Sequence, residues 1–207
     1  KALKKLGHNA EKILIKDDYK KFLGKFHEQD LVFNALHGGK GEDGEIQQWM
    51  DNNNVKYTGS GATSSALCMD KARSKDFAKV MGVRTPRWQL FSSLNEKIKL
   101  QFPFVVKPNN QGSTFGLTVV TNKKELPKAI KTASQYGEDV IVEEYIKGRE
   151  VTVPILGESV YPILEIVPSH GLYDFECKYT PGMTKYLCPA KLDNSTARLI
   201  KENTQLL

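Results

Sequence analysis

The segment FVVKPNNQGSTFG sets Lys107 at the end of an apolar run and follows it with Gly112, Ser113, Thr114 and Gly116. A lysine is a compact positive charge that can meet phosphate oxygens. A glycine-hinged loop lets backbone N–H groups approach an anion closely and fold over it. The chemistry this combination suits is phosphate binding. A plain hairpin with an exposed lysine satisfies the same local pattern, and the segment alone does not separate the two.

Further along, Met69-Asp70-Lys71 adds a second lysine, and VIVEEYIKGRE leads from an apolar stretch into Glu143, Glu144, Tyr145, Ile146 and Glu150. In a nucleotide site an extended linker can present its backbone to the adenine edge. Apolar or aromatic side chains then cover the ring, and a carboxylate accepts the ribose hydroxyls. Tyr145, Ile146 and Glu150 fit those roles, although each also reads as a half-buried strand residue.

These side chains need elements to hold them. Residues 1–6 read as the end of a helix stopped at Gly7, followed by AEKILIK with strand-like alternation, so the chain is expected to begin inside an α/β unit. DLVFNAL reads as a short strand running into His37-Gly38-Gly39, EIQQWMDNNN as a helix after the turn-rich GKGEDG, and VKYTGSG as the close of a first α/β domain over residues 1–59. SALCMDKARSKDFAKVMG carries apolar residues at helical spacing and ends in glycine, which predicts one continuous helix.

TPRWQLF, FPFVVKP, LTVVT and DVIVEEYI read as strands and KELPKAIKTASQYG as a helix, an α+β pattern with an antiparallel sheet. REVTVPILG and SVYPILEIV alternate like a hairpin. A polar segment covers residues 168–192, and NSTARLIKENTQLL is helical with Asn194 or Ser195 as its cap. No internal repeat or low-complexity tract is present.

With 40% apolar and 26% charged residues, the 207-residue chain has the composition of a globular protein with a sizeable core. No apolar run approaches the roughly 20 residues that a bilayer requires, and the first residues show no signal-peptide pattern. A soluble, cytoplasmic protein without membrane partners is expected. Cys68, Cys177 and Cys188 are odd in number and too scattered for a paired zinc-ligand spacing, so free thiols are expected. The net charge of +6 invites a nucleic-acid reading. The lysines are spread singly, as in KKELPKAIKTASQ, without interleaved aromatic platforms, so nucleic acid is not an expected partner.

The ordered set ALHG, GEDG, YTGSG, MDK, VVKP, QGST and YDFECKY resembles the D-alanine–D-alanine ligase family along almost the whole chain. The resemblance implies an ATP-grasp fold behind an N-terminal Rossmann-like α/β domain, divided as residues 1–59, 60–142 and 143–207, with ATP between the last two. It places Lys71, Lys107 and Gly112 at the ATP phosphates, Glu143, Tyr145 and Ile146 around the adenine, and Glu150 at the ribose. Ser113 would help position substrate and cover the ATP phosphates. On a mobile loop, Lys178 would lie near the γ-phosphate and Tyr179 would hydrogen-bond towards Ser113. His37 and Glu42 would lie beside the D-amino-acid pocket.

The implied reaction transfers phosphate from ATP to the carboxylate of one D-alanine, and the amine of a second attacks the acyl phosphate. Positioning and charge neutralisation dominate such chemistry. A closing loop protects the acyl phosphate from water.

The family's substrate-amine glutamate is expected before Lys1. Its arginine and its Mg2+ ligands are expected after Leu207, so no metal ligand is assigned here, and the chain by itself is expected to be an inactive piece of a longer product. The complete protein would be a cytoplasmic homodimer acting on D-alanine and ATP for peptidoglycan synthesis. Alternatives are a D-alanine–D-lactate or D-serine ligase, or a non-catalytic nucleotide-binding module. Tyr179 favours the dipeptide, because depsipeptide-forming relatives usually depart from it.

Overall fold

The computed structural model describes residues 1–15, 18–25, 30–91, 97–137 and 139–207. They form two compact units, Lys1–Ser65 and Ala66–Leu207. In the first, α1 (Ala2–Lys5) stops at Gly7, whose φ of +86° is left-handed. AEKILIK forms no strand among its described residues, and its last residue, Lys16, lies outside them. Ile15 instead packs on the cluster of Tyr19, Ile46 and Met50, so burial against a helix replaces the ladder that the alternation suggested.

The strand read from DLVFNAL is short: β1 (Leu31–Val32) pairs in parallel with β2 (Lys56–Tyr57). It ends early because the Asn34 side chain caps the next turn, accepting from Leu36 N–H and donating to Gly41 O. Between the strands runs α2 (Glu45–Asn52), whose Ile46 and Met50, one turn apart, face the core.

Helix α3 (Ala62–Met69) crosses the boundary of the units and is followed by α4 (Lys71–Val80). The single helix expected here is two, since Asp70 leaves the helical region and caps α4 by accepting from Arg73 N–H at 3.0 Å. An Asp side chain competes with the ladder it would otherwise join, and apolar spacing is blind to that competition.

The second unit carries a four-stranded antiparallel sheet in the order β3-β6-β4-β5, from β3 (Trp88–Phe91), β4 (Phe104–Pro108), β5 (Thr118–Val120) and β6 (Val140–Glu144). Helix α5 (Leu126–Ser134) covers one face, where Ala129, Ile130 and Ala133 meet Phe91, Phe104, Val106, Val120, Val140 and Val142. Because strand side chains alternate, Val105, Lys107, Ile141 and Glu143 share the other face.

Downstream, β7 (Glu150–Thr152) pairs antiparallel with β10 (Leu164–Pro168), and the short hairpin of β8 (Ile155–Leu156) and β9 (Ser159–Val160) lies between them in sequence. The polar segment 168–192 is more ordered than its composition suggests. It holds α6 (Phe175–Tyr179), capped by Asp174, and β11 (Thr184–Leu187), which pairs with β10. Helix α7 (Asn194–Leu206) takes Asp193 as its cap rather than Asn194 or Ser195. Among the described residues no helix is long and apolar enough to cross a membrane, and Cys68, Cys177 and Cys188 are free thiols.

Candidate nucleotide-phosphate site

Lys107 and Glu143 lie diagonally on adjacent strands, since Lys107 pairs with Ile141 and Val105 with Glu143. Their side chains form an ion pair, and the second carboxylate oxygen of Glu143 meets Lys75 Nζ at 2.8 Å. Lys75 stands one turn beyond Lys71 on α4, which brings both to the same helix face. Lys71 Nζ donates to Asn109 O at 3.1 Å and Gln111 O at 2.5 Å, so it is clamped on the turn that leads into the glycine loop. The buried Asn109 fixes that turn to α4: its amide oxygen accepts from Ala72 N–H and its NH2 donates to Asp70.

Lys75 and Lys107 therefore share Glu143, and Lys71 feels its negative charge, with Asp70 contributing less. Burial, then the neighbouring positive charge of Lys107, pushes the Lys71 ammonium down to about 8. Burial pulls the Glu143 carboxyl upward, but Lys107 and Lys75 outweigh it and hold the group below the usual carboxylate range. The cluster has a positive excess in a place poor in water, where an anion is strongly favoured.

Beside it, the loop after β4 holds Ser113 at φ +52° and Thr114 at φ +66°. Two successive non-glycine residues in the left-handed region store strain of about 1–3 kcal/mol each, and such strain gathers at ligand-binding loops. Gly116, at φ +69°, has no alternative: an added Cβ would stand 2.8 Å from Tyr136 and 2.9 Å from Pro108.

α6 closes on this loop. Lys178 Nζ donates to Thr114 Oγ1 at 2.7 Å and stands 5.2 Å over the Tyr173 ring, while Ser113 Oγ and Tyr179 Oη are 3.2 Å apart. An aromatic row, Tyr136, Phe115, Phe175 and Tyr179, joins the two segments with centroid spacings of 5.8, 5.2 and 4.6 Å. The hydrogen bond with Tyr186 first, then burial, pushes the Tyr173 hydroxyl up to about 12.

The structure thus brings together Lys71, Lys107, Glu143, and, around the loop, Gly112, Ser113, Lys178 and Tyr179. Sheet parity turns the Glu143 carboxylate to the lysines. Tyr145 is half-buried, Ile146 is 62% exposed and Glu150 is exposed, and no hydrogen bond among the described residues joins these side chains to the lysine cluster. In the first unit, His37 Nδ1 stands 3.8 Å from Glu42 Oε1 with the imidazole almost fully exposed.

Sequence reasoning missed Lys75 and Asn109. Helical spacing from Lys71 could have found Lys75, whereas Asn109 depends on contacts between distant segments. For magnesium, the described residues offer no fitting set. The group of His, Cys and acidic side chains close enough to hold an ion is His170, Asp174 and Cys177, and a thiol–imidazole set does not suit a cation that prefers oxygen ligands.

The profile described as D-ala D-ala ligase C-terminus matches residues 75–206, and that described as D-ala D-ala ligase N-terminus matches residues 4–60. A D-alanine–D-alanine ligase of Halalkalibacterium halodurans is 40% identical over 182 residues, covering 84% of this chain and 60% of the relative. The chain thus spans about 60% of that relative's length. The crystal structure of the Bacillus anthracis D-alanine–D-alanine ligase complexed with ATP superposes with a TM-score of 0.76 at 30% identity, over 92% of this chain and 63% of that one. A D-Ala:D-Ser ligase of Enterococcus faecalis gives 0.74 at 36% identity, over 86% and 55%. The fold is ATP-grasp, and the chain belongs to the D-alanine–D-alanine ligase family.

Proposed function

We propose that the whole protein joins two D-alanines at the expense of ATP through an acyl phosphate. The observation that carries this reading is the positive excess of Lys71, Lys75 and Lys107 around Glu143, clamped against a strained loop of backbone donors. A nucleotide's phosphates supply the missing negative charge, and preorganised cations favour the charge that develops as the phosphoryl group moves. ATP is named in the Bacillus anthracis structure, which agrees with this chemistry.

In the proposed site Lys71, Lys107 and the Gly112 N–H meet phosphate, and Lys178 approaches from α6. Glu143, which also holds Lys75 and Lys107, surrounds the adenine with Tyr145 and Ile146, and Glu150 takes the ribose. His37 and Glu42 are assigned to the D-amino acid. Residues 60–142 and 143–207 are read as the two parts that flank the nucleotide. The same reading sets the reaction in the cytoplasm, in the supply of peptidoglycan precursors, and assigns a homodimer to the complete protein. Magnesium would accompany ATP as its counter-ion.

The Ser113–Tyr179 contact at 3.2 Å favours the dipeptide over a depsipeptide product, because it ties a polar group into the loop. Likeness to a D-Ala:D-Ser ligase keeps D-serine as the second reading. D-alanine and D-serine in competition decide between them on the complete protein, and a predominantly mixed product would reverse the choice.

The phosphate site is tested by Lys107→Ala. Lys75 still neutralises Glu143 in this variant, so the fold is kept. Losing a charge-assisted contact of roughly 1.5–3 kcal/mol should weaken ATP binding about 10- to 150-fold in calorimetry. Unchanged affinity would remove the lysine cluster from the site.

A further inference from the structure

At the start of α6 a second group of side chains converges, apart from the lysine cluster. His170 Nε2 is 3.2 Å from Cys177 Sγ, 3.8 Å from Asp174 Oδ1 and 3.9 Å from Glu176 Oε2. One ligand atom each from His170, Asp174 and Cys177 lies within 4.8 Å of the others. We propose that His170, Asp174 and Cys177 form a binding site for a divalent cation of the zinc class.

The two distances from the His170 ring nitrogen suit such an ion. With bonds of about 2.0–2.3 Å, ligand atoms of a tetrahedral zinc stand roughly 3.3–3.8 Å apart. The 3.2 and 3.8 Å separations bracket that spacing. A thiolate and an imidazole together select zinc over magnesium, so the site is chemically distinct from any ion that a nucleotide brings. Glu176 or water can complete four ligands.

The ligands are also held in place. His170 follows directly on the strand pair of β10 and β11, where Ser169 N–H donates to Met183 O at 2.8 Å. Cys177 sits in α6, with its N–H on the Asp174 cap at 3.0 Å and its carbonyl accepting from Thr184 Oγ1 at 2.6 Å. Asp174 spends one lone pair on that cap, and a carboxylate has others to offer a metal. Cys177 is only 1% exposed. The imidazole of His170 and the carboxylate of Asp174 are 43% and 35% exposed, which leaves the ion an approach.

On binding, the Cys177 S–H bond breaks, the sulfur lone pair goes to the metal and the proton to solvent, so affinity rises with pH. An ion here would fasten the turn at Ser169 and His170 to the helix that carries Lys178 and Tyr179.

The test is titration of zinc ion into the untagged full chain against a chromophoric chelator, followed by cobalt(II) spectroscopy. Serine at the exposed Cys68 and Cys188 leaves Cys177 as the remaining thiol. Stoichiometric zinc binding that excess magnesium does not displace is expected, with a sulfur-to-cobalt charge-transfer band. Loss of a ligand should weaken binding by at least the roughly 10- to 100-fold that loss of an outer-shell partner costs in both His170→Gln and Cys177→Ser, and the latter should abolish the band. No zinc binding by the chain, or a band that survives Cys177→Ser, overturns the proposal. Since Cys177 is buried, His170→Gln provides an independent check at a partly exposed position, and unchanged zinc affinity there overturns the proposal as well.

Discussion

The two halves of the candidate phosphate site are built on opposite principles. On the sheet, Lys107 and Glu143 have side chains 18% and 11% exposed, and Lys75 on α4 is 11% exposed, all of them ion-paired. Opposite them, Tyr179 is 60% and Phe175 50% exposed, and the described contacts of α6 with the glycine loop are hydroxyl, ammonium and tilted-ring contacts. Charge is held by the part that cannot move without unfolding, whereas closure is left to contacts that cost little to break. A site built this way can open to exchange ligand while its electrostatics stay preorganised.

Glu143→Ala should separate the two halves most sharply. It leaves Lys75 and Lys107 without their shared carboxylate, and removing one partner of a buried ion pair typically costs about 3–5 kcal/mol. Denaturant unfolding of the chain measures this directly. A loss under about 1 kcal/mol would mean that the lysines relax into solvent, and the contrast between a fixed and a movable half would fail.

That contrast was only partly legible in the sequence. FPFVVKP and DVIVEEYI gave themselves away as strands because both their length and their apolar density are high, and KELPKAIKTASQYG as a helix by its spacing. Lys107 at a strand end beside Gly112 and Gly116 was visible for the same reason. The Lys75–Glu143–Lys107 cluster was not, since it depends on which strands are neighbours and on α4 beginning at Lys71, a break that apolar periodicity cannot report. α6 and β11 were hidden by polar composition: their order comes from the Asp174 cap and from pairing with β10, neither of which has an apolar signature. The approach of Tyr179 to Ser113 was implied by family resemblance alone.

A smaller effect sharpens the electrostatic half. With Lys71 held down at about 8 in the free protein, raising pH through that value neutralises it, and a phosphate must then recover a proton to bind. ATP affinity should therefore fall on the order of tenfold per pH unit between about 8 and the ordinary lysine value. Over the same window the unfolded chain holds more protons than the folded one, so the stability of the free protein should rise with pH. Lys71→Arg, whose guanidinium stays charged, should flatten the affinity profile. A wild-type profile already flat to pH 10 would show that burial and Lys107 do not control this ammonium.

The smallest expected effect belongs to the movable half. Tyr179→Phe removes a hydroxyl 3.2 Å from Ser113 Oγ and keeps a ring that still packs on Phe175 at 4.6 Å. Because Tyr179 is largely exposed, global stability should change by less than about 0.5 kcal/mol. The lost contact acts instead on local opening, which needs no unfolding of the sheet. A hydrogen bond worth about 0.5–1 kcal/mol converts to a two- to fivefold rise in the opening equilibrium. Amide exchange over residues 173–180 should quicken by that factor while β4 and β6 stay as protected as before. Exchange that quickens equally in the strands would tie α6 to the core and erase the distinction between the halves, and exchange unchanged in both would leave the aromatic row, not the hydroxyl pair, as what holds the loop closed.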